Sequence, residues 1–65
     1  MGTKVVFEGS ESSEWNSKLL CYANINNEVY IEIQHEEFDT MFICLDKQTA
    51  IKLSKVLKTE ISKLM

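Results

Sequence analysis

The period of the apolar residues changes once along this chain, at Asp46, and that change constrains the fold more than any other feature. Four stretches before Asp46 alternate or run apolar in the manner of β-strands, and they span residues 4–8, 18–24, 28–34 and 40–45. After Asp46 the apolar residues follow a helical period, which predicts a helix over residues 47–64. The pattern predicts an α+β fold, ββββα, with a four-stranded antiparallel sheet followed by one C-terminal helix packed on one face.

Short polar segments indicate where the chain turns. Asn24-Ile25-Asn26-Asn27 suits a type I turn, with Asn at the first position and an Asn that tolerates positive φ at the fourth. Residues 35–39 close the next hairpin. Asp46 stands at the N-cap position, where its carboxylate can accept the free amide hydrogens of the first helical turn.

The length of 65 residues leaves room for a single small domain over residues 1–65. With 45% hydrophobic residues and no proline, the composition is typical of a folded domain and excludes a disordered tail or a linker. A core of this size barely offsets the conformational entropy lost on folding. We therefore expect the chain to need a second copy of itself.

Residue parity along the strands predicts which side of the sheet the helix covers. If the first hairpin has a three-residue loop, one face collects nine apolar residues: Leu19, Cys21, Ala23, Val29, Ile31, Ile33, Met41, Ile43 and Leu45. The helix presents an apolar stripe made of Ala50, Leu53, Leu57, Ile61 and Leu64. We expect Leu53 and Leu57 to anchor the helix on that face. A slip of one residue in the hairpin would exchange the two faces.

The opposite face is too apolar and too aromatic to be left in water. Its candidate interface residues are Val6, Leu20, Tyr22, Tyr30, Phe42 and Cys44. We expect this face to pair with its counterpart in a homodimer, or to be covered by another protein. Glu32 lies on the same face, and its charge belongs at the rim of such an interface because a buried carboxylate without a partner is costly.

Charge is divided unevenly along the chain. Residues 1–46 carry nine acidic residues and two lysines, a balance of −7, whereas residues 47–65 carry five lysines and one glutamate, a balance of +4. The candidate basic face of the helix consists of Lys52, Lys55, Lys58 and Lys63. Such a face could bind the phosphates of a nucleic acid, but the absence of arginine and a pI of about 5.0 favour a solvated lysine surface.

No grouping in the sequence predicts catalysis. His35, the only histidine, stands beside Glu36, Glu37 and Asp39, which could hold a divalent cation weakly but more simply form a solvated acidic loop. Parity places Cys21 and Cys44 on opposite faces, so both are expected to be buried, reduced thiols. We therefore expect no catalytic residue, no metal and no cofactor.

Two further expectations concern the location of the protein and the role of Trp15. The apolar stretches are far too short to cross a membrane, and the N-terminus lacks the features of a secretory signal, so a cytoplasmic location is expected. Trp15, the single tryptophan, is either an anchor for a partner or a lid on one end of the core.

Residues 41–57 join a strand to a capped helix with the spacing Ala-x-x-Leu-x-x-x-Leu. This run, Met-Phe-Ile-Cys-Leu-Asp-Lys-Gln-Thr-Ala-Ile-Lys-Leu-Ser-Lys-Val-Leu, resembles the ending of many short uncharacterised bacterial and phage proteins. The resemblance implies a small bacterial protein and brings no catalytic residues with it.

Taken together, these patterns predict a non-enzymatic, homo-oligomeric protein that binds another protein or serves as a small regulatory or accessory module. The alternative is a nucleic-acid-binding protein that uses the lysine face of the helix.

Overall fold

The computed structural model describes residues 4–13 and 16–65, and it confirms the ββββα fold. The elements are β1 (Val5–Glu8), β2 (Lys18–Ala23), β3 (Val29–Gln34), β4 (Met41–Leu45) and α1 (Lys47–Ile61). The strands pair antiparallel in the order β1-β2-β3-β4, so each strand lies beside its neighbour in the sequence. The prediction for Trp15 lies outside the described residues.

The register of the strands confirms the predicted division into two faces. Cys21 pairs with Val5 on one side and Ile31 on the other, and Ile31 pairs with Ile43. We call the surface that this row belongs to the helix-side face; its strand residues are Val5, Phe7, Leu19, Cys21, Ala23, Val29, Ile31, Ile33, Met41, Ile43 and Leu45. We call the other surface the aromatic face; its strand residues are Val6, Glu8, Lys18, Leu20, Tyr22, Tyr30, Glu32, Gln34, Phe42 and Cys44.

The β2–β3 hairpin has the predicted three-residue loop, because the amide of Asn24 donates to the carbonyl of Glu28 at 2.9 Å and only residues 25–27 lie between them. The amide of Asn27 donates to the carbonyl of Asn24 at 3.2 Å, and Asn27 has a φ of 63°, the left-handed conformation that Asn tolerates. The side-chain oxygen of Asn24 accepts from the amides of Asn26 and Glu28, at 3.0 and 2.9 Å. These bonds fix the register of β2 and β3, and with it the membership of both faces.

The helix begins as predicted, because the Oδ1 atom of Asp46 accepts a hydrogen bond from the amide of Thr49 at 2.8 Å. It ends at Ile61, three residues earlier than the pattern predicts. The amides of Lys63 and Leu64 instead donate to carbonyls three residues back, at 3.1 and 3.0 Å. This tighter bonding closes the last turn.

The helix approaches the helix-side face, as predicted, but packs only near its start. Ala50 is half-buried, whereas Leu53 and Leu57 are 38% and 52% exposed, so the predicted anchoring of these two leucines on their own sheet is wrong. Only Asp46 connects β4 to α1. Strand-to-helix connections usually have two to six residues. Because α1 begins one residue after β4, only its first turns lie near the sheet, beside Ala23 and Val29 at the ends of β2 and β3.

No residue within the described ranges is fully buried. The chain exposes 5825 Å², whereas a compact monomer of 7.5 kDa exposes about 4,200 Å². The open sheet and a helix that stands largely free of it contribute to this excess of about 1,600 Å². Residues 4–13 and 16–65 of a single chain therefore lack the core that normally holds such a fold together.

Candidate interaction surfaces

The helix-side face is wholly apolar at its strand positions. All eleven strand residues on it are hydrophobic, and none carries a charge or a polar side-chain group other than the thiol of Cys21. Exposure is greatest along β4, where Met41 is 69% and Ile43 is 56% accessible. An apolar surface of this extent is typical of a buried interface.

The apolar stripe of α1 is a second uncovered surface. Beyond Ala50 its members remain exposed. The helix diverges from the sheet after its first turns, and an open cleft of about 320 Å³ lies between its first half and the adjoining ends of β2 and β3. The apolar part of this cleft is lined by Ala23, Val29, Ala50 and Ile51. The sheet and the helix thus present two apolar surfaces, side by side, that barely touch each other.

The aromatic face carries a row of rings across three strands. The Tyr22 and Tyr30 ring centroids lie 5.0 Å apart, and those of Tyr30 and Phe42 lie 5.4 Å apart in a stacked arrangement. The Nζ atom of Lys4 lies 5.1 Å from the centroid of the Tyr22 ring. Except for Val6 and Phe42, the predicted interface residues on this face are half-buried against one another.

Polar groups on the aromatic face satisfy one another. The hydroxyl of Tyr30 donates to Glu32 at 2.5 Å, and the side-chain amide of Gln34 donates to the second carboxylate oxygen at 2.6 Å. Chiefly because of the hydrogen bond to Glu32, the pKa of Tyr30 rises to about 12. The hydrogen bonds from Tyr30 and then Gln34 lower the pKa of Glu32, so the carboxylate is ionised at neutral pH. This face therefore combines aromatic rings with a fixed negative charge.

The lysines of the candidate basic face, Lys52, Lys55, Lys58 and Lys63, are all exposed. The Nζ atom of Lys63 lies 2.9 Å from the carboxylate of Glu60, in a surface ion pair one helical turn apart. Lys58 lies in the last turn, where the helix dipole favours a positive charge. Part of this pattern is thus accounted for by the helix itself.

A polar cleft lies at the far end of the sheet, between the loop after β1 and the start of the β3–β4 connection. The Ser17 Oγ and the His35 Nδ1 share a hydrogen bond of 2.9 Å in the position that would continue the ladder of β2 and β3. The cleft, of about 690 Å³, is lined by polar and charged residues. The amide of Gly9 donates a hydrogen bond to the carbonyl of Ser17. A side chain at position 9 would clash, because its Cβ would lie 2.6 Å from the Cβ of Ser13.

The structure does not bring the His35 loop together as a cation site. Within residues 4–13 and 16–65, no three His, Cys, Asp or Glu side chains are arranged to hold a metal ion. Cys21 and Cys44 are free thiols and lie on opposite faces, as parity predicts, although both are half-buried and not fully enclosed.

The six predicted interface residues do lie together on the aromatic face, but the structure adds a surface that the sequence assigned to the helix. The one-residue connection at Asp46 was the signal that could have revealed it, because it is shorter than the two to six residues usual between a strand and the helix that packs beside it.

Comparison with protein-family models, curated proteins and solved structures finds no match for this chain. The resemblance of residues 41–57 to short bacterial and phage proteins therefore stays a prediction. Among the described residues, no helix has the length and apolar character needed to cross a membrane. We therefore base the functional interpretation on the two faces of the sheet and on the helix.

Proposed function

We propose that this chain is a non-enzymatic, homodimeric protein-binding module. The observation that carries the proposal is the surface excess of about 1,600 Å² over that expected of a compact monomer. A chain with no fully buried residue in its described part has little to offset the entropy lost on folding. Association with a second copy would supply the missing core, so folding and dimerisation would be linked.

The aromatic face is the surface that we propose for a second protein. Aromatic residues are enriched at the centres of protein interfaces, and Tyr22, Tyr30 and Phe42 form a continuous row. The ionised Glu32 beside this row favours a protein over a nucleic acid, because it would repel a phosphate backbone. Lys4 and Glu32 offer both signs of charge to a partner.

A cytoplasmic location is part of the same proposal. The two free thiols, Cys21 and Cys44, would persist in a reducing compartment. We propose no role for them in catalysis.

The solution mass tests the dimer. Light scattering at tens of micromolar should give about twice 7.5 kDa, and the denaturation midpoint should rise with protein concentration because unfolding and dissociation are coupled. A folded monomer at millimolar concentration, with a midpoint independent of concentration, would contradict the proposal.

A pull-down from the host tests the second binding surface. The wild-type chain should retain a specific protein that the Phe42→Glu variant does not retain. The wild-type protein and the variant should both keep the dimeric mass. Retention of the same proteins by both would rule the aromatic face out as the binding surface.

The alternative function predicts a different outcome. If the lysine face of α1 binds nucleic acid, a fluorescent oligonucleotide should bind at low salt and dissociate steeply as salt rises. Such binding, abolished by changing Lys52 and Lys55 to Gln, would replace the protein-binding proposal. We expect no binding at physiological salt.

A further inference from the structure

We infer that the dimer forms by reciprocal docking, in which the helix α1 of each copy lies across the helix-side face of the other. This inference rests on the proposed dimer and specifies its interface. The occupant of the exposed helix-side face is thus a second copy of the same chain.

The two uncovered apolar surfaces match in size. A helix of 15 residues is about 22 Å long, and the axes of the outermost strands in a four-stranded sheet lie about 14 Å apart. One helix can therefore cross all four strands. Its stripe of Leu53, Leu57 and Ile61 would then meet the rows that contain Ile31, Ile33 and Ile43.

The chain connection favours the exchange. Because only Asp46 separates β4 from α1, the helix leaves the sheet at the edge strand and diverges from it, so that its apolar stripe beyond Ala50 stays exposed. The open cleft between Val29 and Ile51 shows where this divergence begins. A helix that covers so little of its own sheet is free to cover the sheet of a neighbour. About a two-fold axis, both helices do so at once, and the assembly closes at two copies.

The area agrees with this arrangement. The excess of about 1,600 Å² in each copy amounts to about 3,200 Å² in a dimer, within the range of about 2,000–5,000 Å² that obligate homodimers bury.

Charge also selects the helix-side face over the aromatic face. Pairing two aromatic faces would bring the ionised Glu32 of each copy into a dry interface, with a cost in desolvation and repulsion. The helix-side face contains no charged strand residue, so covering it removes only apolar groups from water.

Neighbouring residues of β4 provide a matched pair of variants. Ile43 and Phe42 are similarly exposed, at 56% and 66%, but belong to opposite faces. We expect Ile43→Glu to weaken association at least tenfold in light scattering, whereas Phe42→Glu should stay a dimer. On the helix, Leu57→Glu should dissociate the dimer, and Thr59→Glu, on the opposite side, should not.

Mixing two defective chains separates exchange from simple pairing. The Leu57→Glu chain keeps an intact face and the Ile43→Glu chain keeps an intact helix, so a mixed dimer contains one undamaged helix–sheet contact. An equimolar mixture should therefore form dimers at concentrations where each variant alone is monomeric. Failure of the mixture to associate would overturn the exchange.

Isotope-filtered NOE measurements on a mixture of labelled and unlabelled wild-type protein test the same contact without any variant. Methyl groups of Leu53 and Leu57 should show contacts to Ile31 and Ile43 of the other copy. A dimer whose intermolecular contacts come from Tyr22 and Phe42 would overturn the exchange but leave the proposed dimer intact. A monomeric wild-type protein would overturn both.

Discussion

The two faces of the sheet are built from alternate residues of the same strands, yet they differ in the polar side chains that they carry. On the aromatic face, Tyr30, Glu32 and Gln34 bond to one another, so that face carries its own polar network. The helix-side face has only apolar strand residues, and most of the helix of the same chain stands away from it. The alternation of residues along the strands thus determines which face must be covered. The short connection between β4 and α1 determines which chain covers it.

The largest effect that distinguishes the faces is expected from truncation on the central strands. Ile31→Ala should cost about 2–5 kcal/mol of unfolding free energy, because Ile31 lies at the centre of the face that the dimer buries. Leu20→Ala, on the aromatic face of the neighbouring strand, is the matched control and should cost less. Urea denaturation of both variants at one protein concentration measures the difference, and a larger loss for Leu20→Ala would reverse our assignment of the faces.

The next largest loss of stability is expected from the turn between β2 and β3, which fixes the residues of both faces. Asn27 has a φ of 63°, so Asn27→Ala should destabilise the fold by about 1–2 kcal/mol, the cost of a left-handed conformation for an ordinary residue. Asn27→Gly should be tolerated because glycine adopts this conformation without strain. Thermal unfolding of the two variants checks the prediction, which equal melting temperatures would contradict.

A smaller effect is expected at the start of α1. Hydrogen bonding to Thr49, first to its side chain and then to its backbone amide, lowers the pKa of Asp46 below its ordinary value of 3.8. Because this pKa is lowered, the ionised cap stabilises the helix fully at pH values above 3.8. That stabilisation is lost as the pH falls through the pKa of Asp46 in the folded protein.

Circular dichroism at neutral pH should show less helix in Asp46→Ala, whereas Asp46→Asn should retain the helix and lose this part of the acid sensitivity. Identical helix content in wild-type and Asp46→Ala protein would show that the cap contributes nothing.

The smallest effect is expected from titration of the aromatic face. The raised pKa of Tyr30, about 12 against 10.0, means that its hydrogen bond contributes fully below pH 10 and is lost as the pH rises through 12. The lowered pKa of Glu32 gives the opposite sign, with a contribution that is lost in acid. Ultraviolet absorbance of the phenolate, in wild-type and Glu32→Gln protein, should show Tyr30 ionising at lower pH in the variant.

Sequence reasoning predicted the elements well because their determinants are local. Asparagine at positions 24 and 27 fixes the hairpin through its own hydrogen bonds, and Asp46 caps the helix one residue after the last strand. Each strand boundary lies within one residue of the prediction for the same reason.

The candidate site was only partly predictable. Parity brought Tyr22, Tyr30 and Phe42 together correctly, because alternation depends only on register. The position of the helix depends on the direction in which the chain leaves the sheet at Asp46, and the helical period of residues 47–64 does not reveal that direction. The sequence therefore predicted a covered face where the structure leaves an open one.

The single residue between β4 and α1 also has an evolutionary consequence. If the helix reaches a neighbour's sheet only because it cannot return to its own, then oligomeric state depends on the length of this linker rather than on the composition of any surface. Two or three flexible residues inserted after Asp46 would let the same apolar stripe close on its own sheet and yield a self-sufficient monomer. A small insertion would thus separate two lineages that share every core residue but differ in whether one gene product can fold alone.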